Sequence, residues 1–280
     1  MIINNNLVAK NAYRNLGDTT AKINSSIEKL SSGLEVDRAA DDAAGLAISE
    51  KMRAQVKGLD TAKKNAQNGI SLIQTAEGAL FETHSILQRM RELAIQSAND
   101  TNTESDRLKM QLEMNELRQE LDRIAKTTEF NTKTLLNGDF SKNRDALSFH
   151  IGANAYQDMP ATLEKLDAKS LGLARGEDKA LSIEKPKEAN KTIEKLDKAI
   201  EMVSTERAKY GAIQNRIEHS INNLGIASEN LQAAESRIRD TDVAKEIVEF
   251  SKNKIIQESG NSMLAQANSA PNEVLKLIEN

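Results

Sequence analysis

Three histidines and one cluster of aspartates are the side chains of this sequence that could bind a metal ion or transfer a proton. His84, His150 and His219 are too far apart to form a ligand pair within one helix or loop. The acidic stretch 37–42 lacks the alternating oxygen ligands, central glycine and terminal glutamate of an EF-hand calcium loop. We interpret the histidines as surface or packing residues and the aspartates as helix caps.

Short motifs of enzyme chemistry are absent as well. The sequence contains no HExxH, Walker loop, GxSxG or GxGxxG pattern, and it has no cysteine for thiol chemistry or disulfides. Met90, Met110 and Met114 fall on apolar helical stripes, where methionine fills a core. The sequence therefore predicts neither an enzyme nor a bound metal or cofactor.

The composition indicates how the surrounding elements are built. Hydrophobic residues make up 39% of the 280 positions, but aromatic residues only 3%, and there is no tryptophan. A core of Leu, Ile, Val, Met and Ala is typical of helical bundles. The net charge of -4 and the lack of a basic stripe with aromatic residues argue against nucleic acid as a partner.

The beginning of the chain, MIINNNLVAKNAY, has neither the basic nor the apolar part of a secretory signal. No run of about eighteen apolar residues follows it, so no membrane insertion is predicted. Taken alone, these features predict a cytoplasmic protein.

Apolar residues recur at helical spacing along most of the chain. A segment without proline from Asp42 to Asn99 predicts a helix of about 85 Å at ~1.5 Å per residue, and so a rod. A second stripe, over 104–128, predicts a helix that returns antiparallel. A third stripe places seven apolar residues at heptad spacing, typical of a packed seam. These core-seam residues are Leu196, Val203, Tyr210, Ile217, Leu224, Leu231 and Ile238.

Between about residues 130 and 186 the helical period fails. Asn137-Gly138 and the Gly-Ala-Asn sequence at 152–154 are turn signals among alternating residues, which predicts a small β-hairpin region. The predicted fold is therefore mainly α: an elongated antiparallel helical bundle resembling a coiled coil, with a small β-hairpin region.

Two joints separate the ends of the chain from this bundle. Gly33 is a natural helix stop before Asp41 and Asp42, and Asp240 with Asp242 interrupts the last long helix in the same way. The joints predict three segments: a helix and joint at 1–41, a core domain at 42–238, and a joint and helix at 239–280. A later proline, Pro271, is predicted to end the last helix.

The two end segments carry apolar side chains that the bundle cannot bury. Even paired as a coiled coil they bury too little area to be stable alone, so identical copies are the obvious neighbours. Contacts that repeat without closing into a ring generate a helical filament, and a closed coiled-coil oligomer is the alternative. The predicted self-assembly residues are Leu16, Ile23, Ile27, Leu30, Val243, Ile247, Phe250, Ile255, Met263 and Leu264.

Seven strings of the sequence, in this order, resemble bacterial flagellin: LSSG, RAADDAAGLAIS, ELAIQSAND, TEFNTKTLLNG, FHIGANA, ERAKYGAIQNRIEHSINNL and MLAQANSAPNEVL. The resemblance implies that residues 1–31 and 243–280 form a coiled coil lining the inner tube of a filament, with 42–238 as the core domain. Only Ala174 to Glu188 stands where many flagellins carry variable outer domains, so those domains are nearly absent.

The resemblance also implies a function: a structural subunit that polymerises into the flagellar filament used for swimming, exported without a signal peptide. Its implied partners are copies of itself, an export chaperone, and hook-junction and cap proteins. The filament would be extracellular, or periplasmic if the source is a spirochaete. A hook-filament junction protein and a non-filamentous coiled-coil scaffold remain as alternatives.

One further stretch, LQRMRELAIQSAND, resembles the segment by which many flagellins are bound by Toll-like receptor 5. The matching positions are Arg89, Leu93 and, on the antiparallel helix, Glu113. Arg89 and Leu93 are four residues apart and are expected to share a helix face. The alternative is that Leu93 packs in the bundle and Arg89 pairs with a neighbouring acid.

Overall fold

The computed structural model describes residues 6–141, 146–175 and 179–278. Within these ranges the chain forms long α-helices and one region of small antiparallel sheets, so the mainly α fold predicted from the sequence is confirmed. The helices are α1 (Leu7–Ser32), α2 (Ala43–Ala98), α3 (Glu104–Thr127), α4 (Pro186–Arg239) and α5 (Val243–Ile278).

The strands form hairpins between α3 and α4. They pair antiparallel in sequence order, and the longest pair has Leu147 opposite Ala161 and His150 opposite Asp158. The predicted β-hairpin region between about 130 and 186 is thereby confirmed. The strands are β1 (Glu129–Phe130), β2 (Lys133–Thr134), β3 (Leu147–His150), β4 (Asp158–Ala161), β5 (Ala174–Arg175) and β6 (Lys179–Ala180).

The prediction of a hairpin turn at Asn137-Gly138 is wrong. The turn between β1 and β2 consists of Asn131 and Thr132, whose φ angles are 49° and 65°. Positive φ at both central positions is the conformation of a type I′ turn, whose twist matches that of the paired strands. Asn137 and Gly138 follow β2 in a loop, where Gly138 lies against the side chain of Lys165. The Gly-Ala-Asn sequence at 152–154 does lie between the paired strands β3 and β4.

Side-chain caps define several helix ends. Asn6 Oδ1 accepts the N–H of Ala9 at 3.0 Å at the start of α1. At the other end Gly33, with φ 72°, donates its N–H to the Lys29 carbonyl at 2.8 Å. Thr103 and Asp106 form a reciprocal capping box at the start of α3, as their spacing indicates.

Helix α5 continues past Pro271 to Ile278, so the prediction that this proline ends the helix is wrong. A proline in a helix removes one backbone hydrogen bond and crowds the preceding turn. That loss concerns one position of the helix, so it does not by itself require the helix to end there.

The chain divides into two compact units, called here the terminal unit (residues 1–54 and 229–280) and the central unit (residues 55–228). In the central unit α2 runs antiparallel to both α3 and α4. Arg89 Nη2 lies 2.9 Å from Glu113 Oε1 on α3, and Arg91 Nε lies 2.6 Å from Asp197 Oδ1 on α4. The core between these helices includes the three predicted methionines, Met90, Met110 and Met114.

The predicted seam of α4 is buried over most of its length, and its first three residues belong to this core. Leu196, Val203, Tyr210 and Ile217 are 0% exposed and Leu224 is 8% exposed. Leu231 and Ile238 are half-buried and belong to the terminal unit. The heptad stripe therefore continues through two units of the chain within a single helix.

Candidate self-assembly surface

Helices α1 and α5 pack against each other as an antiparallel pair in the terminal unit. At one end the Asn6 side chain donates to the Ala267 carbonyl at 2.7 Å. In the middle Gln257 Nε2 donates to Thr20 Oγ1 at 3.1 Å. Asn6 therefore both caps α1 and attaches it to α5. The paired terminal helices predicted from the sequence are confirmed.

In the parts of α1 and α5 whose side chains the structure describes, one large apolar side chain is fully buried. Ile23 is buried, but its buried companions include Ser26, Asn253 and Ala267. Burial contributes about 25 cal/mol per Å² of apolar surface, so small and polar side chains supply little. The pair is consequently a weak unit on its own.

Most large apolar side chains of these helices point away from the pair. On α5, Ile247 and Met263 are 49% and 60% exposed and lie about 160° apart around the helix at 100° per residue. A single neighbouring helix cannot cover both sides at once. We call these exposed side chains the apolar surface of the terminal helices: Leu7, Val8, Tyr13, Ile27, Val243, Ile247, Val248, Ile255, Ile256 and Met263.

The structure separates the predicted self-assembly residues into two groups. Ile23 is buried, and Leu16, Leu30, Phe250 and Leu264 are half-buried. The others belong to the apolar surface: Ile27, Val243, Ile247, Ile255 and Met263. Five residues of the apolar surface were not among the predicted ones, although their apolar character is plain in the sequence: Leu7, Val8, Tyr13, Val248 and Ile256.

The two joints, widely separated in sequence, form one structure. Leu34 and Asp240 make an antiparallel β-bridge. Glu35 donates its N–H to the Arg239 carbonyl at 2.7 Å, and Thr241 donates its N–H to the Gly33 carbonyl at 3.0 Å. Hydrogen bonds of the main chain thus connect the end of α1 to the break between α4 and α5.

An ion pair between side chains also contributes to this joint. Lys29 Nζ lies 2.5 Å from Glu35 Oε1, and the Thr241 hydroxyl donates to Glu35 Oε2 at 3.2 Å. The hydrogen bond from Lys29 lowers the pKa of Glu35, and the same bond raises the pKa of Lys29. Both groups are therefore held in their charged forms over an extended pH range.

The aspartates at the joints accept backbone N–H groups with their side chains. Asp41 Oδ2 accepts the N–H of Arg38 at 2.9 Å, and this backbone hydrogen bond lowers the pKa of Asp41. Asp42 Oδ1 accepts the N–H of Ala44 at 3.0 Å at the start of α2. Asp242 Oδ1 accepts the N–H of Ala244 at 3.0 Å at the start of α5. The interpretation as a helix cap is confirmed for Asp42, but it is wrong for Asp41, which accepts N–H groups of residues that precede it in a turn. Asp242 caps α5 as Asp42 caps α2.

The histidines lie apart. His84 contacts Gln88 one helical turn later, and His150 Nδ1 lies 2.8 Å from Asp158 Oδ1 across the β3/β4 hairpin. His219 is exposed on α4. Among the described residues, no group of three or more His, Cys, Asp or Glu side chains could hold a metal ion.

The three positions that match the receptor-binding segment have different surroundings. Arg89 is exposed and pairs with Glu113 at 2.9 Å and with Glu92 at 3.2 Å. Leu93 is 2% exposed and belongs to the core of the central unit. A partner on the surface can reach Arg89 and Glu113 but not Leu93 unless the helices part. Receptor binding stays a prediction, and its accessible part is the Arg89 and Glu113 pair.

In the described parts of the chain, no helix is both long and apolar enough to cross a membrane.

A paired set of terminal helices with uncovered apolar side chains, joined to a helical core, defines a structural protein that assembles with copies of itself.

Comparison with known proteins gives this class a family. The family model of the bacterial flagellin N-terminal helical region matches residues 3–141, and that of the C-terminal helical region matches residues 193–278. A flagellin of Halalkalibacterium halodurans is 51% identical over 278 residues, which cover 99% of this chain and 100% of that protein. The chain belongs to the bacterial flagellin family and is a structural subunit of the flagellar filament.

Two further proteins are similar to this chain, one in sequence and one in fold. The flagellar filament 33 kDa core protein of Treponema phagedenis is 48% identical over 285 residues, covering 99% of this chain and 100% of that protein. A solved structure described as a flagellar hook-associated protein of Vibrio parahaemolyticus has a TM-score of 0.59 at 14% identity, covering 71% of this chain and 100% of that one. The second similarity concerns the fold alone.

Proposed function

We propose that this flagellin polymerises through the apolar surface of its terminal helices, with residues 1–41 and 239–280 forming the inner part of the filament and 42–238 its core domain. The observation that carries the proposal is the distribution of exposed apolar side chains around α5. Because Ile247 and Met263 lie on different sides of the helix, at least two neighbours are needed to cover them. An open helical lattice supplies several neighbours to each subunit.

The energy available from such contacts is large enough to drive assembly. Completing the burial of a side chain such as Ile255, now 68% exposed, contributes up to about 1.5–3 kcal/mol. The weak α1/α5 pair is then stabilised by contacts between subunits rather than by its own interior.

Seeded polymerisation tests the proposal. Ile255→Ser and Met263→Ser are compared with the native chain by measuring the protein that remains in the supernatant after polymers are pelleted. Loss of about 1.5–3 kcal/mol per subunit raises that concentration by roughly 10- to 150-fold.

Ile226→Ser is the matched control, because Ile226 is 61% exposed on α4 but belongs to the central unit. We expect the control to polymerise like the native chain. Equal loss in all three variants would mean that assembly does not depend specifically on the terminal helices.

We propose that the filament is extracellular. A periplasmic filament is the second candidate, favoured by the 48% identity to the Treponema filament core protein over nearly the whole chain. Electron microscopy of the source cells, showing filaments outside or beneath the outer membrane, decides between the two.

We further propose an export chaperone and the hook-junction and cap proteins as partners. The apolar surface of α5 supports this, since it needs cover before other subunits are present.

Receptor binding at Arg89 and Glu113 is proposed only for the free subunit. Binding of monomer to the Toll-like receptor 5 ectodomain, compared with Arg89→Ala, tests it, and equal binding by both would exclude the site.

A further inference from the structure

Arg239 is the last residue of α4, and its main chain and its side chain contact different segments of the chain. Its carbonyl accepts the N–H groups of Glu35 at 2.7 Å and Val36 at 3.4 Å. The segment that follows α1 is therefore attached to the main chain of Arg239. The side chain is directed elsewhere, and the residue as a whole is only 8% exposed.

The guanidinium of Arg239 makes an ion pair with Glu50 on α2. Glu50 also lies 3.6 Å from Arg53, and Arg53 lies 2.8 Å from Glu235 on α4. Four charges of alternating sign thus connect α2 with α4 inside the terminal unit. A cation as buried as Arg239 is tolerated only when it is paired, so its position depends on Glu50.

We infer that Arg239 is a positioning residue of the joint: its ion pair with Glu50 fixes the site at which the segment after α1, and with it the α1/α5 pair, attaches to α2 and α4. The ion pair holds the guanidinium on α2, and the carbonyl of the same residue holds residues 35 and 36. Its consequence for the filament rests on the proposed function, since only subunits whose terminal helices leave the joint in one direction can occupy equivalent lattice positions.

Amide hydrogen exchange at Glu35 and Thr241 reads the joint directly, because both N–H groups form its backbone hydrogen bonds. It is measured on polymers of the native chain and of Glu50→Gln, Arg239→Lys and the double variant Arg239→Gln/Glu50→Gln. Glu50→Gln leaves a buried cation without this anion, so exchange at both amides should accelerate by at least about tenfold. The double variant removes the cation as well and should exchange more slowly than Glu50→Gln, while Arg239→Lys should stay close to native.

Arg91→Gln is the matched control, since it removes an ion pair with Asp197 in the central unit. Exchange at Glu35 and Thr241 should not change in this variant. Native exchange in Glu50→Gln, or native exchange in the double variant, which also lacks the ion pair, would overturn the positioning role. If the native chain itself does not polymerise, the proposed function fails, and the same comparison on the monomer still decides the role of Arg239.

Discussion

Leu93 and Arg89 show how two residues four positions apart on a helix can have opposite surroundings. Positions i and i+4 differ by about 40° around an α-helix. At the edge of a buried face this angle is enough to place Leu93 in the core, at 2% exposed, and Arg89 in solvent. Spacing alone could not predict the difference, because it does not show where α3 and α4 lie around α2.

We therefore predict different effects for the two truncations. Leu93→Ala should lower the free energy of unfolding by about 2–5 kcal/mol, since it leaves a cavity in the core. Arg89→Ala should leave thermal unfolding unchanged within error, because its ion pairs are exposed. Circular dichroism melts of the monomers measure both. A reversed order of effects would contradict the packing described here.

The Lys29 and Glu35 pair gives the joint a pH dependence. Because the pKa of Glu35 is lowered from its ordinary 4.5, the pair stabilises the joint fully above that value and loses its effect as pH falls through the lowered pKa. The pKa of Lys29 is raised from 10.5, so at the alkaline end the effect is lost only as pH rises through the raised value.

The expected measurement compares the native chain with Glu35→Gln. At pH 6 to 9 native polymers should depolymerise at a higher temperature than polymers of Glu35→Gln. The difference in stability should correspond to about 0.2–1 kcal/mol, as for a largely exposed ion pair. The difference should shrink toward zero as the pH falls below about 4.5. A difference that persists unchanged into strong acid would exclude this pair as its source.

At the scale of elements, the patterns that repeat many times were predictable. The heptad of α4 fixed five core positions, from Leu196 to Leu224, because one helix face must follow such a stripe. Single residues predicted less well. Pro271 does not end α5, and Asn137-Gly138 is not a hairpin turn, since the outcome at one residue depends on the structure on both sides.

Deletion of α5 tests the independence of the two units. Removal of residues 243–280 takes away one partner of α1 but no residue of the central unit. We predict that the truncated chain keeps the helices of the central core and does not polymerise. Circular dichroism and pelleting after seeding give the two results. Loss of the core helices along with polymerisation would show that the units do not fold separately.

At the scale of the whole molecule, the sequence predicted self-association from apolar residues left uncovered at both ends. It could not show that the joints around Gly33 and Asp240 are one structure, because contacts between distant segments leave no local pattern. Nor could it show that small and polar side chains share the inside of the α1/α5 pair with Ile23, while most of the large apolar residues of the two helices are exposed. That outward distribution is what makes a lattice, rather than a closed pair, the expected assembly.

Thiol labelling tests this central claim most directly, because the native chain contains no cysteine. Ile255→Cys and Met263→Cys place single thiols on the apolar surface of the terminal helices, and Tyr156→Cys places one on the β3/β4 turn, where Tyr156 is 97% exposed. All three should react rapidly with a maleimide in the monomer. In the filament the first two should become protected while the third still reacts. Rapid labelling of Ile255→Cys and Met263→Cys in intact filaments would contradict assembly through this surface.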